Sequence, residues 1–216
     1  EGVLCVEKIK GLKVHKINLI FHLAGFKDVS ESNKHPEKYI KNNLTKSKKF
    51  IETCIKNNCR KIIFSSSAAV YGNLNKNNLK EHSILKPSSI YGKTKLKLEK
   101  FLIKNEKKNK LKYIILRYFN VAGADPKLRS GLITNSKNNL INNIIKVLIN
   151  KKEEFVLNGN DYDSYDGTTV RDYIHVSDLA DIHYKTMKYL LKFDKSGIFN
   201  CGYGKGFSVM DAINIA

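Results

Sequence analysis

Lys61-Ile62-Ile63-Phe64-Ser65-Ser66-Ser67-Ala68-Ala69-Val70-Tyr71-Gly72 and, after a polar interval, Ser89-Ile90-Tyr91-Gly92-Lys93-Thr94-Lys95 decide how this chain folds. The first stretch is an apolar strand over Arg60–Ser66 that breaks into hydroxyl side chains at its carboxyl end, where open α/β sheets place their ligands. The second opens a helix that runs to about Lys107. Tyr91 and Lys95 are four residues apart, so they project from one face of that helix, and the ammonium can lie close to the phenol. A nearby cation stabilises a phenolate and lowers a tyrosine pKa from its ordinary value of about 10, the change a phenol needs to act as a base at neutral pH. Tyr91 is thereby the candidate proton-transfer residue.

On the amino-terminal side, Ile17-Asn18-Leu19-Ile20-Phe21-His22-Leu23 is an apolar run ended by Ala24-Gly25. It suits a buried parallel strand whose small terminal residues let the backbone approach a ligand. A loop through Val29–Ser32 leads to a helix with Pro36 in its first turn, ending near Asn57. Glu1–Lys16 reads as an amphipathic helix remnant. On the other side, residues 72–89 form a polar loop too long for a simple connection, and Lys112–Phe119 is a further buried strand. This alternation predicts an α/β, Rossmann-like parallel sheet flanked by helices. Residues 1–124 are expected to carry this sheet. From Asp125 the alternation loosens, so 125–216 is expected to be mainly a smaller substrate-binding portion, with segments returning to the sheet. Within it we expect a helix from Asn138 to about Asn150, a short strand Phe155–Leu157, a helix from Ser177 to about Phe193 and a strand starting at Ile198.

With 216 residues the chain can bury one substantial core, or one domain and part of another. No apolar run approaches the ~18 residues of a membrane span, and the amino end lacks a basic-then-apolar signal, so a cytoplasmic protein without membrane association is expected. Cys5, Cys54, Cys59 and Cys201 lack metal-ligand spacing and read as reduced, mostly buried thiols; no metal site is expected. The net charge is +19. The lysines are spread over every expected helix, while arginines number four: Arg60, Arg117, Arg129 and Arg171. Because arginine carries most base and phosphate recognition, this distribution points to solvated helix faces and away from a nucleic-acid reader.

The Ser-Ser-Ser strand end, Val70-Tyr71-Gly72 and Tyr91-Gly92-Lys93-Thr94-Lys95 together resemble the extended short-chain dehydrogenase/reductase family, and within it the UDP-glucose 4-epimerase branch. So do Arg117-Tyr118-Phe119-Asn120 with its following Gly123-Ala124, Val170-Arg171-Asp172-Tyr173-Ile174-His175, and Asn200-Cys201-Gly202 with Gly204 and Gly206. The resemblance implies epimerisation at carbon 4 of a UDP-hexose through a transient 4-keto sugar, with bound NAD. It implies Tyr91, Lys95 and Ser67 as catalytic residues, Lys95 lowering the Tyr91 pKa and Ser67 bonding the same sugar oxygen. Leu23, Ala24, Gly25, Lys27, Asn42, Ser65, Tyr91, Lys95, Tyr118 and Phe119 would line NAD. Ser67, Tyr91, Asn120, Asn139, Leu140, Val156, Leu157, Asn158 and Arg171 would hold the UDP-sugar, with the Arg171 fork on the diphosphate. His175 is read as a packed strand histidine. A homodimer is implied, with the helices near 36–57 and 90–107 pairing as a four-helix bundle through Ile40, Leu44, Phe50, Ile51, Leu98 and Leu102.

Three departures from the family pattern stand out. Its Gly-rich pyrophosphate turn and leading strands are missing, the chain stops early in a helix at Ala216, and Asn158 stands where an aromatic residue is usual beside the uracil. The chain therefore reads as a fragment lacking both ends and expected to be inactive alone. Dehydration would need an acid and a base after the hydroxyl residue, and Ala68 and Ala69 occupy those places. Open alternatives are a 4-epimerase of an N-acetylhexosamine or uronic acid UDP-sugar, and an inactive nucleotide-binding fragment.

Overall fold

A computed structural model describes residues 17–73, 78–132, 139–150 and 154–216. The expected helix over Glu1–Lys16, Cys5 and Asn138 lie outside the described residues. The strands are β1 (Ile20–His22), β2 (Lys61–Ser67), β3 (Lys112–Tyr118), β4 (Asn120–Ala122), β5 (Val170–His175), β6 (Gly197–Cys201) and β7 (Gly206–Ser208). The helices are α1 (Val29–Lys34), α2 (Pro36–Tyr39), α3 (Ser47–Lys56), α4 (Ile90–Asn109), α5 (Leu140–Ile149), α6 (Val176–Phe193) and α7 (Val209–Ile215). They group into two compact units. One comprises the described residues up to Tyr118 with Ile182–Cys201; the other comprises Phe119–Asp181 with Gly202–Ala216.

The first unit is a four-stranded parallel sheet in the order β1-β2-β3-β6, as the apolar runs predict. β2 and β3 are buried along their length except at the ends, the pattern of strands covered on both faces. Alternation sends Ile62, Phe64, Tyr113 and Ile115 to one face, where they meet Leu44, Ile51, Leu98 and Leu102 from the helices. On the opposite face Phe21 meets His183 of α6.

Several boundaries differ from expectation. The segment after Phe26 is not a plain loop: Asp28 caps α1, its carboxylate accepting from Glu31 N at 2.8 Å. The helix expected from Pro36 to Asn57 is interrupted by a π-helical segment, Ile40–Lys46. The wider π turn buries three consecutive residues, Asn42, Asn43 and Leu44, which an α-helical face would not do. The strand expected at Phe155–Leu157 does not form. That segment has no strand pairing, and Val156 and Leu157 are exposed. Four residues assigned to a dimer bundle are also corrected: Leu44, Ile51, Leu98 and Leu102 are buried within the chain against its own sheet. One sheet face absorbs them because β2 and β3 present bulky side chains there at every second position.

The second unit holds β4 parallel to β5 and β7 antiparallel to it. α5 begins with Asn139 as its N-cap. Cys54, Cys59 and Cys201 are free and buried, and burial pushes the Cys54 and Cys201 thiols up to about 12. No helix among the described residues is long and apolar enough to cross a membrane. No cluster of potential metal ligands occurs among them.

Leu102 is wholly buried at the junction of α4 with β2 and β3. Leu102→Ala is expected to lower unfolding free energy by about 2–5 kcal/mol, the usual cost of a core leucine cavity, read from urea denaturation followed by circular dichroism.

Candidate active site

α4 carries Tyr91 in its first turn, and its amino end is held from several sides. Ser89 caps it, the hydroxyl accepting from Gly92 N at 3.0 Å. The next free amides are taken up by α1: Ile90 N donates to Asn33 Oδ1 at 3.0 Å and Tyr91 N to Ser32 Oγ at 3.1 Å. These contacts satisfy first-turn donors that a helix leaves orphaned. Glycine at 92 is required by the close approach of the Ala68–Val70 turn, since a Cβ there would sit 2.5 Å from the Ala69 carbonyl oxygen. Tyr91 is thereby brought beside the hydroxyl end of β2.

One turn further, Lys95 is 7% exposed and donates to the Ser65 carbonyl at 2.7 Å. Its ammonium also lies over the rings of Phe64 and Tyr91, 5.0 and 5.6 Å from their centroids. Burial lowers the Lys95 pKa to about 8, while the Glu99 carboxylate pulls it upward. The Tyr91 phenol is pushed above its ordinary value by burial, with the Ser67 hydroxyl drawing it partly back. The expected depression of Tyr91 by Lys95 is therefore corrected. The ammonium is committed to the Ser65 carbonyl and the ring faces, and desolvation of the phenolate outweighs it. Tyr91 at neutral pH is a phenol, a proton donor as it stands.

A second hydroxyl chain adjoins this pair. Ser65 Oγ and the Tyr118 hydroxyl are 2.7 Å apart, and the Tyr118 hydroxyl is 2.6 Å from His183 Nε2. Burial raises the Tyr118 pKa, so it too stays neutral. After β1, Leu23, Ala24, Gly25 and Lys27 form a loop with Leu23 58% exposed. That loop is clamped by Asn43, which accepts from Phe26 N at 2.9 Å and donates to Phe26 O at 2.8 Å. Asn42 donates to Asn43, and its own Oδ1 is buried without a hydrogen-bond partner. Such an oriented buried acceptor suits a hydroxyl-bearing ligand. Lys95, with one of its three donors on Ser65, suits the same kind of group. The first unit thus brings together Ser65, Ser67, Tyr91, Lys95 and Tyr118, with Asn42 on the adjoining π-helical segment.

Phe119, Asn120, Asn139, Leu140, Val156, Leu157, Asn158 and Arg171 fall in the second unit. Asn120 Nδ2 donates to the Asp172 carbonyl at 3.1 Å, and Asn139 caps α5, its Oδ1 accepting from Asn142 N at 2.9 Å. Asn158 is exposed. Arg171 is exposed, with Nη1 donating to the Val170 carbonyl at 2.9 Å. It pairs with neither neighbouring acid. Asp172 accepts from Tyr203 N and Gly204 N, and Asp178 from the Tyr203 hydroxyl. His175 lies in β5 against Gly123.

Sequence reasoning missed four residues here. Asn43 and Ser32 carry no signal beyond being polar in a helical stretch. Arg117 does, as a charge after the apolar run Tyr113–Leu116, whereas Glu99 stands between Leu98 and Lys100 with no such signal; both are buried, at 0% for Glu99 and 2% for Arg117.

Residues 7–202 match the family model described as NAD dependent epimerase/dehydratase family. The chain is 39% identical over 93% of its length to a UDP-glucose 4-epimerase of Halalkalibacterium halodurans, covering 60% of that protein. It is 40% identical over 92% of its length to one from Bacillus subtilis, covering 59%. Among solved structures, UDP-glucose 4-epimerase from Brucella ovis in complex with NAD superposes with a TM-score of 0.91 at 30% identity, over 99% of this chain and 66% of that one. The Bifidobacterium longum enzyme in complex with NAD+ and UDP gives 0.89 at 34% identity, over 99% and 65%. The chain thus spans about 60% of the length of the curated relatives it matches.

His22 in β1 lies edge-on to Phe50 and near Phe64, 3% exposed, with Nε2 unpartnered. Burial first, and then the Lys95 charge, hold its pKa down at about 4, against 6.5 ordinarily. Between those values the unfolded chain binds the extra proton, so stability is fully present above pH 6.5 and falls as pH drops toward 4. Denaturation midpoints taken across that window should decline with pH, and His22→Leu should flatten the decline.

Proposed function

Since the chain belongs to the NAD dependent epimerase/dehydratase family, we propose that it acts in epimerisation at carbon 4 of a UDP-hexose, interconverting UDP-glucose and UDP-galactose, a step of galactose metabolism. The observation that carries this reading is the Tyr91–Lys95 face of α4 beside the Ser65–Ser67 strand end. Ala68 and Ala69 stand where elimination of water would need an acid and a base. The residues present suit NAD: Asn42 Oδ1 and the Lys95 ammonium as polar contacts, the Leu23–Lys27 loop and Ser65 as lining, and Tyr118 and Phe119 towards the reacting ring. When bound, NAD supplies reversible oxidation at carbon 4.

As a phenolate, Tyr91 takes the proton of the sugar 4-hydroxyl, and as the resulting phenol it returns that proton to the 4-keto oxygen. Burial leaves Tyr91 a phenol in the unliganded protein, so the phenolate must form before the 4-hydroxyl is oxidised, and the Lys95 charge on the same helix face favours that form. Ser67 holds the same oxygen. Arg171 places its guanidinium fork on the diphosphate, and Asn120, Asn139, Leu140, Val156, Leu157 and Asn158 contact the rest of the sugar nucleotide. A grip confined to the nucleotide leaves the keto sugar free to turn over. The free, buried cysteines fit a cytoplasmic location.

In the complete enzyme, Tyr91→Phe should leave UDP-sugar binding by calorimetry unchanged and reduce turnover about 10²–10⁴-fold; turnover near the unaltered value would remove Tyr91 from the mechanism.

We place pairing with a second copy on Ile40 and Ile103, the apolar residues that these helical segments leave outward, at 39% and 37% exposure. Ile103→Lys should then shift light scattering toward monomer while the circular dichroism spectrum stays that of the folded protein. An unchanged mass would move the interface elsewhere.

A further inference from the structure

Glu99 stands one helical turn beyond Lys95 and two beyond Tyr91, so the three share one face of α4. It is wholly buried. A buried carboxylate costs several kcal/mol unless paired and hydrogen-bonded, and the surroundings of Glu99 meet both conditions. Arg117 of β3 binds it with two prongs, Nη2 to Oε2 at 2.7 Å and Nε to Oε1 at 3.1 Å, and Ser66 of β2 donates to Oε1. Arg117 is itself fixed, its Nη1 donating to the Tyr71 hydroxyl at 2.8 Å and the Glu81 carbonyl at 2.9 Å.

We propose that Glu99, held by Arg117 and Ser66, is a positioning residue for proton transfer at Tyr91: its immobile negative charge keeps the buried Lys95 cationic and directed along the shared face. The titratable and charged groups around Lys95 are His22 from β1, Tyr91 and Glu99 from α4, and Arg117 and Tyr118 from β3. His22 is neutral at physiological pH, as are both phenols. Glu99 is the one anion in that set. Burial has already brought Lys95 down to about 8, with Glu99 acting against it, so loss of that anion would leave the ammonium partly deprotonated under working conditions. The inference rests on the roles given to Tyr91 and Lys95 above.

The test compares the full chain with Glu99→Gln and Glu99→Asp. Two readouts are taken: the pH profile of kcat/KM on UDP-galactose, and the titration of the Lys95 amine by ¹⁵N NMR without substrate. Turnover should fall as pH rises through the Lys95 pKa. In Glu99→Gln that alkaline limb, and the amine titration with it, should move down by roughly one pH unit, the lower end of what a nearby opposite charge contributes. Glu99→Asp, which keeps the charge but draws it back, should fall between. An amine titration unmoved in folded Glu99→Gln overturns the proposal. Should that variant not fold, an Asp variant titrating like the unaltered protein overturns it equally. A complete enzyme that does not turn over UDP-galactose refutes the proposed function instead, and the NMR titration still decides the role of Glu99.

Discussion

The interaction on which the first unit depends is the buried Glu99–Arg117 pair, 0% and 2% exposed. Buried ion pairs add little net stability compared with apolar residues of the same shape, but breaking one strands a charge in the interior. The constraint is therefore one of register. Arg117 is opposite Ser66 across the β2–β3 pairing, and both side chains converge on a single carboxylate. α4 can satisfy that carboxylate only at one height and one rotation over the sheet. The same guanidinium reaches Tyr71, whose hydroxyl donates to Asn200 Oδ1 at 2.7 Å, and Asn200 in turn donates to Leu79 O and Glu81. β6 and the 79–81 segment are thus tied to the same point.

With the middle of α4 pinned by charge and its first turn by Ser32, Asn33 and Ser89, the positions of Tyr91 and Lys95 are over-determined. The consequence is chemical. A phenol beside a mobile lysine would sample many separations, whereas here the ammonium is anchored on the Ser65 carbonyl. Desolvation raises the phenol above its ordinary value and lowers the amine to about 8, so burial works against the charged form of both, the phenolate and the ammonium. Small changes in the electrostatics around this face are therefore felt in the reaction, as is usual for titratable pairs at active sites.

The strongly basic composition obscures this arrangement. On α4, Lys93, Lys97, Lys100, Lys104, Lys107 and Lys108 are exposed while Lys95 is buried. The exposed set keeps the outer face solvated and interacts weakly with the distant site through water and salt. Lys95 and Arg117 are cations that the fold takes out of water, at the cost of desolvation, and each has a specific acceptor.

The amino-acid sequence determined the parallel α/β class, the strand β2 with its hydroxyl end, and the Tyr91–Lys95 pair, because periodicity of 2 and of 3.6 and the i, i+4 relation are local properties of the chain. It also carried the hydrophobic runs that became β1, β3 and β6. The tertiary structure decided what depends on neighbours distant in sequence. Asn43 clamps the loop after β1 while Asn42 keeps a buried acceptor beside it, because a π-helical segment turned both residues inward. Leu44, Ile51, Leu98 and Leu102 serve the chain's own core, because the sheet face above them had room. Lys95 leaves Tyr91 with a raised pKa, because burial acts on both groups at once. Glu99 became an interior charge only because Arg117, eighteen residues away, comes to lie across the sheet beneath it, and no local pattern reports which two charged residues a fold will bury together.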